Sequence, residues 1–214
     1  MMRQLVFAGM FLTLLTTTGC KSTYYNTWEK LGWHKRDILV DRVEDARDSQ
    51  KEAQEQFQTT LERFIAVTKA EVGDLQSRYN KLQSDYDRSE ARANDVRKRI
   101  KEIEDVAEDL FGEWQTELAQ YESAELRRSS EDKLRDTRSR YKQLVAAMRR
   151  AEKKMDPVLA AFKDQVLFLK HNLNARAIAS LQTTTATLET DVSQLIKEME
   201  QSIAEANEFI KQMQ

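Results

Sequence analysis

The fold is decided by residues 61–110, which read LERFIAVTKAEVGDLQSRYNKLQSDYDRSEARANDVRKRIKEIEDVAEDL. Alternating steps of four and three residues pick out Leu61, Ile65, Thr68, Val72, Leu75, Tyr79, Leu82, Tyr86, Ser89, Ala93, Val96, Ile100, Ile103, Ala107 and Leu110. Thirteen of these fifteen residues are apolar, whereas a chain with 40% hydrophobic residues would supply about six. An apolar seam sustained over so many heptads predicts a long helix that packs as a coiled coil.

The same spacing continues on both sides of this stretch. The upstream series is Leu39, Val43, Ala46, Gln50, Ala53 and Phe57, and the downstream series are Leu134, Thr137, Tyr141, Leu144, Met148, Ala151 and Met155, then Leu181, Thr185, Leu188, Val192, Leu195, Met199, Ser202, Ala206, Phe209 and Met213. An extra four-residue step from Phe57 to Leu61 indicates a stutter. Five glycines and one proline in 214 residues leave few turns. We therefore predict an all-α protein, either a long antiparallel coiled-coil hairpin or an elongated helical bundle.

Charge indicates where the chain reverses. Residues 102–122 carry eight acids and no bases, whereas residues 127–142 carry seven bases and three acids. A hairpin tip at about 123–130 would lay these blocks against each other, with Ser129 or Ser130 as the cap of the returning helix. The alternative is that the blocks are two separate solvated faces.

These patterns predict three regions. They are a signal peptide over 1–19, a lipidated N-terminus with an aromatic and basic tether over 20–36, and a helical domain over 37–214. Within the domain we expect an outgoing helix over about 37–122 and returning helices over about 131–156, 157–182 and 186–213. Asp156 and Pro157 suit a helix start or a kink, and Gly73 and Thr183 are candidate bends. A straight arm of about 85 residues would be about 125 Å long.

The N-terminus has the pattern of an exported lipoprotein. Arg3 precedes an apolar run from Leu5 to Leu15, which has the length of a signal-peptide core. Thr17, Thr18 and Gly19 then precede Cys20, the one cysteine of the chain, and this resembles the lipobox of bacterial lipoproteins. Thr17 departs from that motif, which most often has Leu. An ordinary signal peptide is the alternative interpretation.

The lipobox resemblance implies cleavage before Cys20 and attachment of acyl chains such as palmitate there. Several chains anchor a protein stably where one is marginal. Lys21 occupies the position at which Asp retains Gram-negative lipoproteins in the inner membrane. We therefore expect a lipid-anchored, periplasm-facing protein of the bacterial envelope, in the outer rather than the inner membrane.

The tether is rich in aromatic residues. Tyr24, Tyr25, Trp28 and Trp33 lie among basic side chains within residues 21–36. Such side chains suit a membrane–water boundary, and they equally suit packing of the first helix against the body of the protein. The sequence leaves both interpretations open.

Residues 158–181 are apolar over a broad face, which predicts contact with more than one neighbour or a cavity for a lipid or small ligand. No motif for catalysis or for a cofactor accompanies it. His34 and His171 are far apart and outside metal-binding patterns, so we expect His171 at a helix boundary and no metal site. The net charge of -2 and the pI of about 5.9 argue against a nucleic-acid partner.

Three stretches carry a family resemblance. The lipobox, residues 24–43 (YYNTWEKLGWHKRDILVDRV) and residues 156–181 (DPVLAAFKDQVLFLKHNLNARAIASL) together resemble an uncharacterised family of proteobacterial, all-helical lipoproteins with a domain of unknown function. The resemblance covers essentially the whole mature chain. It implies location and architecture and carries no catalytic residue.

The sequence thus favours a non-enzymatic spacer, scaffold or adaptor that binds through coiled-coil surfaces. We expect the membrane as one partner, through the lipid, and either an envelope protein or a second copy as another. The alternative is a periplasmic binder of lipid or a small ligand that uses the apolar 158–181 zone.

Overall fold

The computed structural model describes residues 35–68, 75–172 and 175–213, without the side chains of residues 175–180, 182 and 183. Within these ranges there are four α-helices: α1 (Lys35–Thr68), α2 (Leu75–Glu117), α3 (Ala124–His171) and α4 (Ala175–Met213). A 3₁₀ turn (Leu118–Gln120) follows α2. None of these helices holds an apolar stretch long enough to cross a membrane. The predicted all-α class is confirmed.

The four helices form a closed bundle in which α1 packs on α2, α2 on α3, α3 on α4, and α4 on α1. Neighbouring helices run antiparallel, because from one contact to the next the residue number rises in one helix and falls in the other. The contacts are Ser49–Asp95 and Arg63–Asp85 between α1 and α2, and Glu104–Arg149 and Arg97–Asp156 between α2 and α3. They are Arg140–Gln212 and Arg150–Glu198 between α3 and α4, and Arg47–Asn207 and Gln54–Glu200 between α1 and α4.

The heptad residues supply the core. In α1 the whole predicted series from Leu39 to Phe57 is buried, and in α4 so are all described members of its series except Thr185. Phe57 of α1 stacks on Phe162 of α3 across the bundle, with ring centroids 6.4 Å apart. Each fully buried large apolar side chain contributes about 1.5–3 kcal/mol, so this seam accounts for the packing of all four helices.

The outgoing helix predicted over 37–122 is instead two helices, α1 and α2, that pack on each other. Val72 and Gly73 lie outside the described residues. A heptad pattern shows which side chains face the core but not where the chain folds back. The 4–3 series over 61–110 therefore includes residues of two different helices, α1 and α2. The longest helix, α3, is about 72 Å long, and α1 is about 51 Å long, which replaces the arm of about 125 Å.

The core face of α1 widens at the predicted stutter. Leu61 and Thr68 of the predicted series are buried and Ile65 is half-buried, while Thr60, Phe64 and Val67, which continue the upstream spacing, are buried as well. The Thr60 hydroxyl donates to the Gln56 carbonyl oxygen at 2.8 Å and lies 2.9 Å from the Ser89 hydroxyl. These bonds let a polar residue occupy a core position, so polarity alone concealed the register.

The chain reverses between α2 and α3 slightly earlier than predicted. Ser123 is the N-cap of α3, and its hydroxyl oxygen accepts from the Leu126 backbone N–H at 3.3 Å. Ser129 and Ser130, the predicted caps, lie inside the helix. The 3₁₀ turn and residues 121–123 form the reversal. The new helix can begin directly after it because Ser123 satisfies a backbone N–H group that a helix start leaves without a partner.

The predicted breaks at Asp156–Pro157 and Thr183 are absent from the described helices. α3 runs through Pro157, which is exposed, so the carbonyl group that loses its donor has access to water. Asp156 pairs with Arg97 of α2 instead of capping a helix. In α4 the hydroxyls of Thr184 and Thr185 donate to the Leu181 carbonyl oxygen, so these threonines are accommodated within the helix.

Candidate docking surface

The predicted processing and tether residues lie outside the described part of the chain. They are Thr17, Thr18, Gly19, Cys20, Tyr24, Tyr25, Trp28 and Trp33. Their roles therefore stay predictions. The description begins at Lys35, the first residue of α1.

Two contacts mark the level at which α1 and α4 reach one end of the bundle. The Lys35 ammonium lies 2.7 Å from a Glu113 carboxylate oxygen of α2, and Arg140 of α3 donates to Gln212 near the end of α4. Beyond this level α2 and α3 continue without α1 and α4. We call residues 114–139 the tip, and the four-helix part the body.

Interhelical contacts hold the tip together. Leu118 and Leu134 are buried between its two sides, and the Trp114 indole N–H donates to the Ser130 hydroxyl oxygen at 2.8 Å. Arg138 donates to the Phe111 carbonyl oxygen at 3.0 Å and lies 5.4 Å from the centre of the Phe111 ring. These contacts make the tip an ordered two-helix unit that extends the body.

The tip carries a cleft. A cleft of about 370 Å³ has Leu118 and Leu134 among its lining residues, together with Gln115, Glu131, Arg135, Arg138, Ser139 and Lys142. Tyr121 is 41% exposed and Leu126 is 59% exposed, although both are large and apolar. The heptad spacing identifies neither residue, although Leu126 is recognisable in the sequence as an apolar residue that lies off the 4–3 series.

The acidic block (102–122) and the basic block (127–142) were expected to pair with each other, but the described ion pairs differ. Arg149, outside the basic block, donates to both Glu104 carboxylate oxygens, at 3.1 and 2.6 Å. This bidentate contact raises the pKa of Arg149, chiefly through the hydrogen bonds that its guanidinium donates to Glu104. Within the basic block, Arg127 pairs with Glu131 of its own helix and Arg135 with Asp132. The described α2–α3 ion pairs thus lie in the body rather than across the tip.

The interface between α1 and α2 is the polar side of the body. Asp85 is fully buried, and one carboxylate oxygen accepts from Arg63 of α1 and from Arg88 of its own helix. The Ser89 hydroxyl donates to the Asp85 carbonyl oxygen at 3.0 Å. The two half-exposed guanidinium groups thus join α1 and α2 through one carboxylate oxygen of Asp85, while its other oxygen is buried without a hydrogen-bond partner in the described structure.

Two further polar residues lie in the core. Gln50 of α1 and Ser202 of α4 are fully buried, and their side-chain polar atoms have no hydrogen-bond partner in the described structure. The Arg47–Asn207 and Gln54–Glu200 contacts on either side place them at similar levels of the bundle. Unpaired buried polar groups cost free energy, so this layer is a weak point of the α1–α4 interface.

Among the described residues, no group of three His, Cys, Asp or Glu side chains is placed to hold a metal ion. Burial raises the pKa of Tyr86 and of Tyr141 to about 12.

His171 is the last residue of α3 and is exposed, which confirms the predicted helix boundary.

The fold and this surface define an all-α protein with a four-helix body and a two-helix tip. The chain belongs to the family described as Protein of unknown function (DUF2959), whose profile matches residues 24–213. Comparison with curated proteins and with solved structures finds no match. Membership of a family of unknown function was predicted and is confirmed. Its proteobacterial and lipoprotein character stay predictions.

Proposed function

We propose that the protein is a lipid-anchored envelope lipoprotein that acts as a non-enzymatic spacer, scaffold or adaptor. Cys20 carries the lipid, the outer membrane holds it, and the bundle faces the periplasm. The observation that carries this proposal is the position of Lys35 beside Glu113. The chain enters the bundle at the end from which the tip projects.

This geometry suits a spacer. The opposite end of α1, at Thr68, is about 50 Å from Lys35 along a continuous helix. The rigid helix therefore holds surfaces at its two ends a fixed distance apart, as a spacer requires. The charged helix faces and the tip are then the surfaces available to a partner.

The use of polar groups supports a role in binding rather than catalysis. Two ion pairs cross helix interfaces, Arg149 with Glu104 and Arg63 with Asp85. A catalytic pair needs access to substrate as well as a partner. These groups instead fix helix orientation, which a rigid scaffold requires.

Labelling with a palmitate analogue tests the anchor. The wild-type chain is expected to incorporate the label and to fractionate with membranes, because a thiolate at Cys20 accepts the lipid. Cys20→Ser removes that sulfur and is expected to abolish the label, whereas Ser22→Ala, two residues away, retains it. Equal labelling of Cys20→Ser and wild type would contradict lipidation at this residue.

Chemical cross-linking in cells, followed by capture of the tagged chain, tests the scaffold role. We expect covalent complexes with an envelope protein or with a second copy. Recovery of the free monomer alone, across growth conditions, would contradict this function while leaving the anchor result intact.

A second candidate function is binding of a lipid or small ligand at the 158–181 zone. Leu167 is 45% exposed and Phe168 is 38% exposed, although Val166 and Leu169 beside them are buried. These two side chains offer apolar surface to a ligand. Native mass spectrometry of the purified protein tests this, since bound lipid that Leu167→Gln and Phe168→Gln displace would favour it over the scaffold.

A further inference from the structure

We infer that a cleft between α1 and α2, near the Thr68 end of the body, is a binding site for a phosphate group, carried by a soluble ester or by a lipid headgroup. The residues that line it are Arg63, Ala66, Val67, Arg78, Lys81 and Leu82. Its volume of about 470 Å³ is within the range of small-ligand sites. The site adds a ligand to the proposed scaffold and does not depend on a lipid at Cys20.

The lining of this cleft carries three positive charges and no negative charge. Arg63 of α1 and Arg78 and Lys81 of α2 supply the charges, and the other lining residues are apolar. Three other clefts on the described helices each have a glutamate among their lining residues, namely Glu131, Glu189 and Glu55. Bases that converge without an acid create a positive potential, which favours an anionic ligand.

Two of the three charges have no partner among the described residues. Most basic side chains of α1 and α2 form ion pairs there, whereas Arg36, Arg78 and Lys81 form none. Arg78 is half-buried and so loses part of its hydration. An anion that offers acceptor oxygens to Arg78 and Lys81 would compensate both charges.

The third charge is held in position by a buried carboxylate. One N–H group of Arg63 donates to Asp85, which is fully buried and also pairs with Arg88. The Arg63 side chain is 51% exposed, and a guanidinium group has five N–H donors, so donors remain for a ligand. Two guanidinium groups and one ammonium group suit the several oxygens of a phosphate better than a single carboxylate.

The apolar lining residues restrict what the site recognises. Val67 and Leu82 are buried, so the accessible lining is formed mainly by the three basic side chains. The site therefore binds the phosphate group and contacts little of the molecule that carries it. A soluble phosphate ester and a lipid phosphate share this chemistry, and they differ in the acyl chains that accompany the phosphate.

Isothermal titration calorimetry of the full-length chain in detergent is the first test. The probes are glycerol 3-phosphate and dihexanoyl phosphatidic acid, which carry the same phosphate monoester, with glycerol as the uncharged control. Saturable binding of both probes would support the site for soluble esters, and binding of the phosphatidic acid alone would support it for a lipid headgroup. Binding of neither probe, or equal binding of glycerol, would overturn the proposal.

Variants that remove one charge each are the second test. Arg78→Gln and Lys81→Gln should each weaken phosphate binding at least about tenfold, because each removes a charge-assisted contact. Arg36→Gln, exposed near the start of α1 and also without an ion pair among the described residues, is the matched control and should bind as the wild type does. Melting temperatures of all three should stay close to that of the wild type. Unchanged affinity in Arg78→Gln and Lys81→Gln, or an equal loss in Arg36→Gln, would overturn the site.

The connection between α1 and α2 provides the third test. Residues 69–74 include two acids, Glu71 and Asp74, and lie outside the described residues. The double variant Glu71→Gln, Asp74→Asn should bind glycerol 3-phosphate or dihexanoyl phosphatidic acid at least as tightly as the wild type. Binding by the double variant with none by the wild type would show that these acids already compensate the cleft, and the proposal would be wrong.

Discussion

The helices α2 and α3 run through both the body and the tip, but α1 and α4 pack on them only in the body. In the body, Phe57 and Phe162 meet across the axis, and both rings are buried. In the tip, Leu118 and Leu134 are buried as well, but Tyr121 and Leu126 are exposed. The same helical pattern therefore yields a closed core in one region and an accessible surface in the other.

We propose that stability and binding are divided between these two regions. Burial in the body uses its apolar residues to hold the helices, so changes there should affect the whole fold. The tip adds the exposed Tyr121 and Leu126 to a charged surface.

The largest expected effect is in the body, from Phe162→Ala. Loss of the buried ring and the cavity it leaves should lower the free energy of unfolding by about 3–5 kcal/mol. Urea unfolding followed by circular dichroism measures this. Phe168→Ala, six residues along the same helix and 38% exposed, is the matched control and should cost less than about 1 kcal/mol. Equal losses would mean that α3 does not face the core as described.

In the tip, Leu134→Ala should cost about 2–3 kcal/mol, at the lower end of the usual range, because only two helices have to adjust around the gap. The loss should appear as faster amide hydrogen exchange over residues 114–139, with the unfolding of the body little changed. Leu126→Ala, on the same helix but 59% exposed, should leave exchange unaltered. If Leu134→Ala accelerates exchange equally throughout the body, the tip is not a separate region.

At the boundary between the two regions, Tyr141 gives a pH dependence. Its ring packs edge-on against Phe111 at 5.3 Å, and burial raises its pKa from 10.0 to about 12. The folded state holds the proton more tightly than the unfolded state. The stabilisation is therefore complete below pH 10 and is lost as the pH rises towards 12.

Tyr141→Phe should make unfolding free energies measured at about pH 9 and about pH 11 more alike, since one group that binds a proton differently in the two states is gone. Tyr86, whose pKa is raised in the same way, keeps part of the slope. The exposed Tyr121→Phe is the control and should keep all of it. An unchanged slope in Tyr141→Phe would show that this side chain is solvated in the folded protein.

The smallest expected effect is at the N-cap of α3. Ser123→Ala removes the oxygen that accepts from the Leu126 N–H and should cost about 1 kcal/mol, seen as faster exchange in the first turn of α3. Ser129→Ala, inside the helix, should have little effect. The reverse result would restore the cap that the sequence pattern predicted.

The heptad spacing predicted the buried faces well, because burial along a helix follows directly from its periodicity. Val43, Ala53 and Ile100 are examples that are fully buried. Even Gln50, a polar member of the series, lies in the core. Spacing alone therefore located most of the interior.

Chain direction was less predictable. The series gave no sign of the reversal between Thr68 and Leu75, since antiparallel helices share the same repeat. Pro157 suggested a start because isolated helices lose stability there, but packing on both sides carries α3 through it. The tip surface depends on where α1 and α4 end beside α2 and α3, and no local pattern encodes that relation.

Site-specific photo-cross-linking of the full chain in living cells tests most directly the claim that the tip is the working surface. A photoreactive residue in place of Leu126 samples the tip, and one in place of Gln194 samples an exposed position on the body. We expect adducts, to a second copy or another envelope protein, from position 126 and little or none from position 194. Adducts from position 194 with none from position 126 would contradict the account.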